Sequence, residues 1–347
     1  MTFFRFPFAE KPFCLKFGVL ARLMGVLQLL PALAAAEENV LVGGQAVMEG
    51  VMMRTPHAWG ITVLRPSSGE MISHSEVLLR PADKRKWLAL PVIRGVATLG
   101  QAMTLGFRAL KFSANVALEE IPHQGNEEKF EVTGWMTALN VIFSLGFFVV
   151  FYKLIPLVAT TQLRKFLPQL DNFVLFNLVD GIIRIVLFVF FIWAISRSKD
   201  IGRVFEFHGA EHKTVFAFEA NHDPSKPVTV EAAQKFSTFH PRCGTSFLMT
   251  VMIISIFIYS LFPVVTFWGR FALRLVMLPV IAGVSYEIIR FAAKHGQSLF
   301  AIMTRPGLWM QRITTRQPDN LQVECAIHAL DRALDLEKYH GGELVIA

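Results

Sequence analysis

Val132-Thr-Gly-Trp-Met-Thr-Ala-Leu-Asn-Val-Ile-Phe-Ser-Leu-Gly-Phe-Phe-Val-Val-Phe-Tyr152 contains no charged residue. Bilayer hydrocarbon offers no partner to a backbone amide, so a chain that crosses it does so as a helix of about 20 mostly apolar residues. This stretch meets both demands. Trp135 and Tyr152 also stand near its ends, where interfacial aromatics prefer to lie. A first span is expected over residues 131–160.

Three more candidates lie downstream. Residues 243–269 carry no charge. Residues 172–195 are apolar apart from Asp180 and Arg184, which are four apart and therefore share a helix face on which they can pair. Residues 271–293 hold Arg274 near one end and Glu287 and Arg290 near the other, which leaves a short apolar stretch. The expected fold is an α-helical polytopic membrane protein with about four transmembrane helices. Composition agrees: hydrophobic residues make up 53% and charged residues 18%, against roughly 25% charged in soluble proteins, and mean hydropathy is +0.45. The net charge of +7 fits cytoplasm-facing loops of a membrane protein, and no motif points to nucleic acid.

The flanking segments differ. Residues 1–38 resemble a secretory signal, with Arg5, Lys11 and Lys16 ahead of an apolar run ending in three alanines, but Arg22 interrupts the run. An uncleaved interfacial or extra membrane helix is the preferred reading. Residues 39–91 switch to strand-like runs such as Ile61-Thr-Val-Leu64, with turn residues at Pro66-Ser-Ser-Gly69, and imply a small β-rich extramembrane domain. Residues 92–130 are expected to form an amphipathic interfacial or helix-packing element. Residues 196–242 read as a polar loop, and residues 294–347 as a tail that closes on an amphipathic helix started by Pro318-Asp319-Asn320. The segment 196–242 is rich in Lys and Arg, which places it in the cytoplasm with the β-rich region and the tail. A protein partner at that face is one expectation, beside the lipid bilayer itself.

Within that segment stands His208-Gly-Ala-Glu211-His212. On a helix, residues four apart present both imidazoles on one face, with Glu211 beside them to take a proton from water at a divalent metal, most naturally zinc. The alternative is a pair of interfacial or capping histidines. His240-Pro-Arg-Cys243-Gly follows, where an imidazole and a thiolate can reach the same place; Pro241 and Gly244 also suit a helix entry. If four helices cross, Glu287 returns to this face. A carboxylate within a span is functional by default, unless it pairs with Arg290. Cys14, Cys243 and Cys325 form no CxxC pair, so neither a disulfide framework nor a zinc ribbon is expected. The segment Gly43-Gly-Gln-Ala-Val-Met-Glu-Gly-Val-Met-Met-Arg54 reads as a structural turn in which Gln45, Glu49 and Arg54 form a polar constellation.

Together the Gly43 to Arg54 motif, His208 to Lys213, His240-Pro-Arg-Cys-Gly-Thr-Ser-Phe247, Ser285-Tyr-Glu287, Pro306-Gly-Leu and Thr314-Thr315 through Pro318 resemble the YqhQ-like family of bacterial membrane proteins. The resemblance implies a multi-pass inner-membrane protein of unknown role, described as a metal-dependent enzyme. His208, Glu211, His212, His240, Cys243 and Glu287 fall on its motifs. A hydrolase with Glu211 as base and the other five as candidate ligands is the first functional expectation. A non-catalytic scaffold or assembly factor is the second, and a small-solute transporter the third.

Overall fold

The computed structural model describes residues 42–65, 67–81, 85–118, 134–221, 226–240, 243–294 and 299–339. The N-terminal extension, residues 1–38 in the sequence reading, lies outside them.

Four strands, β1 (Gly43–Val47), β2 (Gly50–Arg54), β3 (Ala58–Leu64) and β4 (Met71–Val77), form an antiparallel meander in chain order. The Gly43 to Arg54 motif is therefore a hairpin rather than a plain turn, since β1 and β2 pair along their whole length. Glu49, at its tip, takes a positive φ of 54°, the backbone state that tight hairpin connections demand. Gln45, Glu49 and Arg54 point to different partners and form no common cluster. Gln45 lies against Gly106, Arg54 donates to Gln101, and Arg203 Nε donates to Glu49.

Successive side chains of a strand face opposite sides, and both faces of this sheet are covered. The helix α1 (Ile93–Leu118) packs Leu105, Ala109 and Val116 on Met52, Trp59, Ile61 and Val63. It is thus a sheet-packing helix on one side, while Met103, Phe107 and Leu110 stay exposed on the other. The segment expected as a polar loop is largely helical: α5 (Lys199–Ala220) and α6 (Val230–Gln234) occupy much of it. The last helix, α11 (Asn320–Tyr339), joins α5 on the second sheet face, where Val323, Ala326 and Leu330 meet Val51, Met53 and Phe207. Its start is a capping box, because Gln322 N donates to Asp319 Oδ1 at 2.7 Å and Asp319 N donates to Gln322 Oε1 at 2.9 Å.

The apolar helices form a separate layer. The first is continuous through α2 (Gly134–Val149), a π-turn (Val150–Leu154) and α3 (Ile155–Leu163). Within it Ala138–Leu163, 26 residues long, is apolar enough to cross a bilayer, and so is α4 (Phe173–Ile195) with 23 residues. Ile142, Phe143, Val186 and Phe190 face outward from them, as lipid-facing side chains do. Residues 243–269 are not one span. α7 (Gly244–Tyr259) has only 16 residues, about 24 Å of helix. The chain then leaves the helix around Pro263 before α8 (Phe267–Val276). The α8 and α9 (Leu278–Lys294) pair is bent by 49° where a single fourth span was expected. Among the described residues, two helices therefore qualify as spans by length and composition, or three if the bent pair counts as one, so the expected four are not confirmed. A further helix, α10 (Leu299–Thr314), runs against α7 with Gly307 on Ser246.

Glu287 of α9 is held by Arg94 of α1, not by Arg290. Arg94 Nε donates to it at 2.7 Å, its terminal nitrogen donates to the second carboxylate oxygen, and Val92 N adds a third bond at 3.2 Å. This fork ties the apolar layer to the helix that backs the sheet. Removing one partner strands the other charge, at a cost of about 3 kcal/mol. Arg94→Ala should accordingly lower the unfolding temperature in detergent, and adding Glu287→Gln should recover part of the loss. Fully additive losses in thermal melts would show the two groups to be uncoupled.

Candidate metal centre

His208 and His212 lie on successive turns of α5, with ring centroids 4.4 Å apart. His208 Nδ1 is 2.8 Å from the Thr314 carbonyl oxygen, and His212 Nδ1 is 2.5 Å from that of Thr238. A carbonyl oxygen can only accept, so each Nδ1 carries a proton, and Nε2 is the lone-pair nitrogen of the neutral ring. The His208 lone pair faces Cys243 Sγ at 3.2 Å. The His212 Nε2 is buried without a hydrogen-bond partner among the described residues. Cys243 is the N-cap of α7, where its sulfur accepts from Thr245 N at 3.4 Å and lies 3.1 Å from the Thr245 hydroxyl.

The three ligating atoms of His208, His212 and Cys243 all lie within 4.8 Å of one another. Two imidazoles and one thiolate, with a fourth position left to water or substrate, are a donor set that catalytic zinc uses. The Nδ1–H bonds to carbonyl oxygens are the outer support that fixes ligand tautomers in such sites. The orphaned, buried Nε2 of His212 makes this arrangement fit a metal better than it fits a hydrogen-bonded core.

Glu211 places Oε2 3.4 Å from His212 Nε2. It is buried against β1, where a Cβ on Gly44 would come within 2.7 Å of its Cγ, so glycine there leaves room for the carboxylate. His240 flanks the group rather than joining it. Its ring lies 5.6 Å from that of His212, and Gln311 of α10 clamps its backbone through two bonds of 2.7 Å. Burial lowers the His240 pKa from its ordinary value while the Glu211 charge pulls it upward. Glu287, engaged by Arg94, lies outside the group of three. Thr314, Thr238 and Gln311 complete the site and escape sequence reasoning, since two act through backbone carbonyls; the Thr314-Thr315 motif was the available signal.

With this geometry in hand, the comparisons give its class. Residues 90–336 match the DUF1385 family of proteins of unknown function, which covers most of the chain, and the chain belongs to that family. It is 31% identical over 304 residues to the uncharacterized protein YqhQ of Bacillus subtilis (strain 168), an alignment spanning 85% of this chain and 92% of that protein. This agrees with the motif resemblance. No solved structure matches it.

The two described cysteines should differ sharply. Cys325 is fully buried, donates to the Thr62 carbonyl at 3.3 Å, and is pushed up to about 12 by burial. It therefore stays protonated and inert from pH 7 to roughly pH 9, because a raised thiol pKa removes the nucleophilic thiolate. Cys243 is half-buried. Iodoacetamide at pH 8, read by peptide mass spectrometry, should label Cys243 in folded protein and reach Cys325 only after denaturation. Prior loading with zinc should protect Cys243.

Proposed function

We propose that this protein is a metal-dependent hydrolase of the bacterial inner membrane, with one zinc ion at its cytoplasmic face. The observation that carries this reading is the pair of Nδ1–H bonds to Thr314 and Thr238, which turns two bare imidazole nitrogens toward one thiol. Structural histidines need no such alignment. His208, His212 and Cys243 are the ligands, and a bound zinc supplies Lewis acidity and lowers the pKa of water. Glu211, beside His212, accepts the proton of the attacking water and returns it to the leaving group. His240, largely desolvated, borders the His/Cys group beside His212. The membrane brings a lipid-borne or membrane-embedded substrate to this face.

In this reading the chain crosses four times, with α8 and α9 as one broken span and α7 as a short one, which puts the sheet, α5 and α11 on the same side. The Lys and Arg content of residues 196–242 favours the cytoplasm for that side. A fluorescent protein fused after Tyr339 should fold and fluoresce in cells, and alkaline phosphatase at the same point should be inactive. The opposite pattern would reverse the topology.

Elemental analysis of purified protein should find about one zinc per chain, lost in His208→Ala, His212→Ala and Cys243→Ser. Metal-free wild type would overturn the proposal. Glu211→Gln should keep the metal and fail to restore function to a deletion strain. Full restoration would make the site structural and favour the scaffold reading.

A further inference from the structure

A second polar cluster is buried at the far end of α7, in the apolar layer and distinct from the His/Cys group. Asp180 of α4 is fully buried and receives Arg184 from its own helix and Arg274 of α8, whose Nη2 is 3.0 Å from Asp180 Oδ1. Lys153 is buried as well, in the π-turn that falls just before Pro156. Single π-turns inside α-helices recur at functional sites. Lys153 Nζ, Arg184 and Arg274 surround the ring of Tyr259 at 5.9, 5.5 and 5.6 Å. Arg270, buried on the face of Phe176 at 3.6 Å, lies within electrostatic reach of Arg274 and Asp180.

Among the described residues, three guanidiniums and a lysine amine thus share one carboxylate. Each uncompensated charge in such a place costs several kcal/mol, and the geometry leaves donors unused: the Nε atoms of Arg184 and Arg274 are buried without a hydrogen-bond partner. Arg270 and Arg274 also line a cleft with Asn177 and Tyr259, closed to water in this conformation. Arg270 is held at that cleft by the Val264 carbonyl, to which its Nε donates at 2.8 Å.

We propose that Lys153, Arg184, Arg270 and Arg274 form a binding site for a phosphate-bearing anion within the apolar layer. Planar guanidinium forks and a lysine point charge are the donors that phosphate oxygens select. The same chemistry comes from free phosphate or from the headgroup of an anionic phospholipid.

Full-length protein in neutral detergent, washed free of lipid, is melted in two arms. One arm raises inorganic phosphate at constant ionic strength; the other raises phosphatidylglycerol in mixed micelles against a phosphatidylcholine control. At least one probe should raise the unfolding temperature saturably, by roughly 5 °C. A phosphate response assigns a free anion, and a response to phosphatidylglycerol alone assigns a headgroup. Lys153→Met and Arg274→Gln, each measured against its own unliganded melt, should abolish the shift. No saturable shift in wild type, or a shift retained in either variant, overturns the proposal.

Discussion

The chain from Thr314 to Pro318 can lie along α5 only because residue 209 has no side chain. A Cβ there would stand 2.0 Å from the Arg316 carbonyl oxygen, and one on Gly202 would stand 2.2 Å from the Arg316 guanidinium. The contact is closed by Arg316 N, which donates to the Phe205 carbonyl at 2.9 Å, and by the guanidinium, which donates to Ser196 O at 2.7 Å. Two consequences follow from this approach. It delivers the Thr314 carbonyl to His208, and it sets the starting point and direction of α11, which then closes the second face of the sheet. The glycine between the histidine and the glutamate of the His208 to His212 motif is thus as necessary to the site as the groups that carry its chemistry.

The apolar layer was legible where the physics is local. An uncharged run long enough for a bilayer marked the first candidate span, and the Asp180 to Arg184 spacing announced an ion pair that does form within α4. The later candidates were less legible because their termination depends on tertiary partners. Residues 243–269 contain no charge, yet helix α7 stops at Tyr259. Its carbonyl there is taken by Asn177 Nδ2 at 3.1 Å, so another helix satisfies a broken end that lipid alone would not tolerate. The helix α10 was hidden by Pro306 and its flanking charges, which weaken any apolar pattern.

The His/Cys group was legible in its members and not in its supports. A spacing of four on a helix decides that two imidazoles share a face, and the sequence carries that information in full. It carries none about which carbonyl meets an Nδ1, since every residue offers the same group. Glu287 shows the limit of reasoning from depth in a span. Counting crossings argues for a place beside the histidines, but its partner, Arg94, stands 193 positions away on a helix whose packing no local pattern specifies. Cys243, in contrast, was readable twice over, as a potential ligand and as the residue that opens a helix.

The dipole of α7 links the two polar clusters. A helix carries about half a positive charge at its N-terminus and half a negative charge at its C-terminus. The N-terminal end meets Cys243, beside the Thr245 amide and hydroxyl. The C-terminal end meets the surroundings of Tyr259, where it opposes the cations gathered there. Magnitudes decide how far that effect reaches. Three guanidiniums less one carboxylate leave an excess of two positive charges before Lys153 is counted, and half a charge removes about a quarter of it. The dipole is therefore far short of neutralising the cluster, a task that falls to something other than the helix.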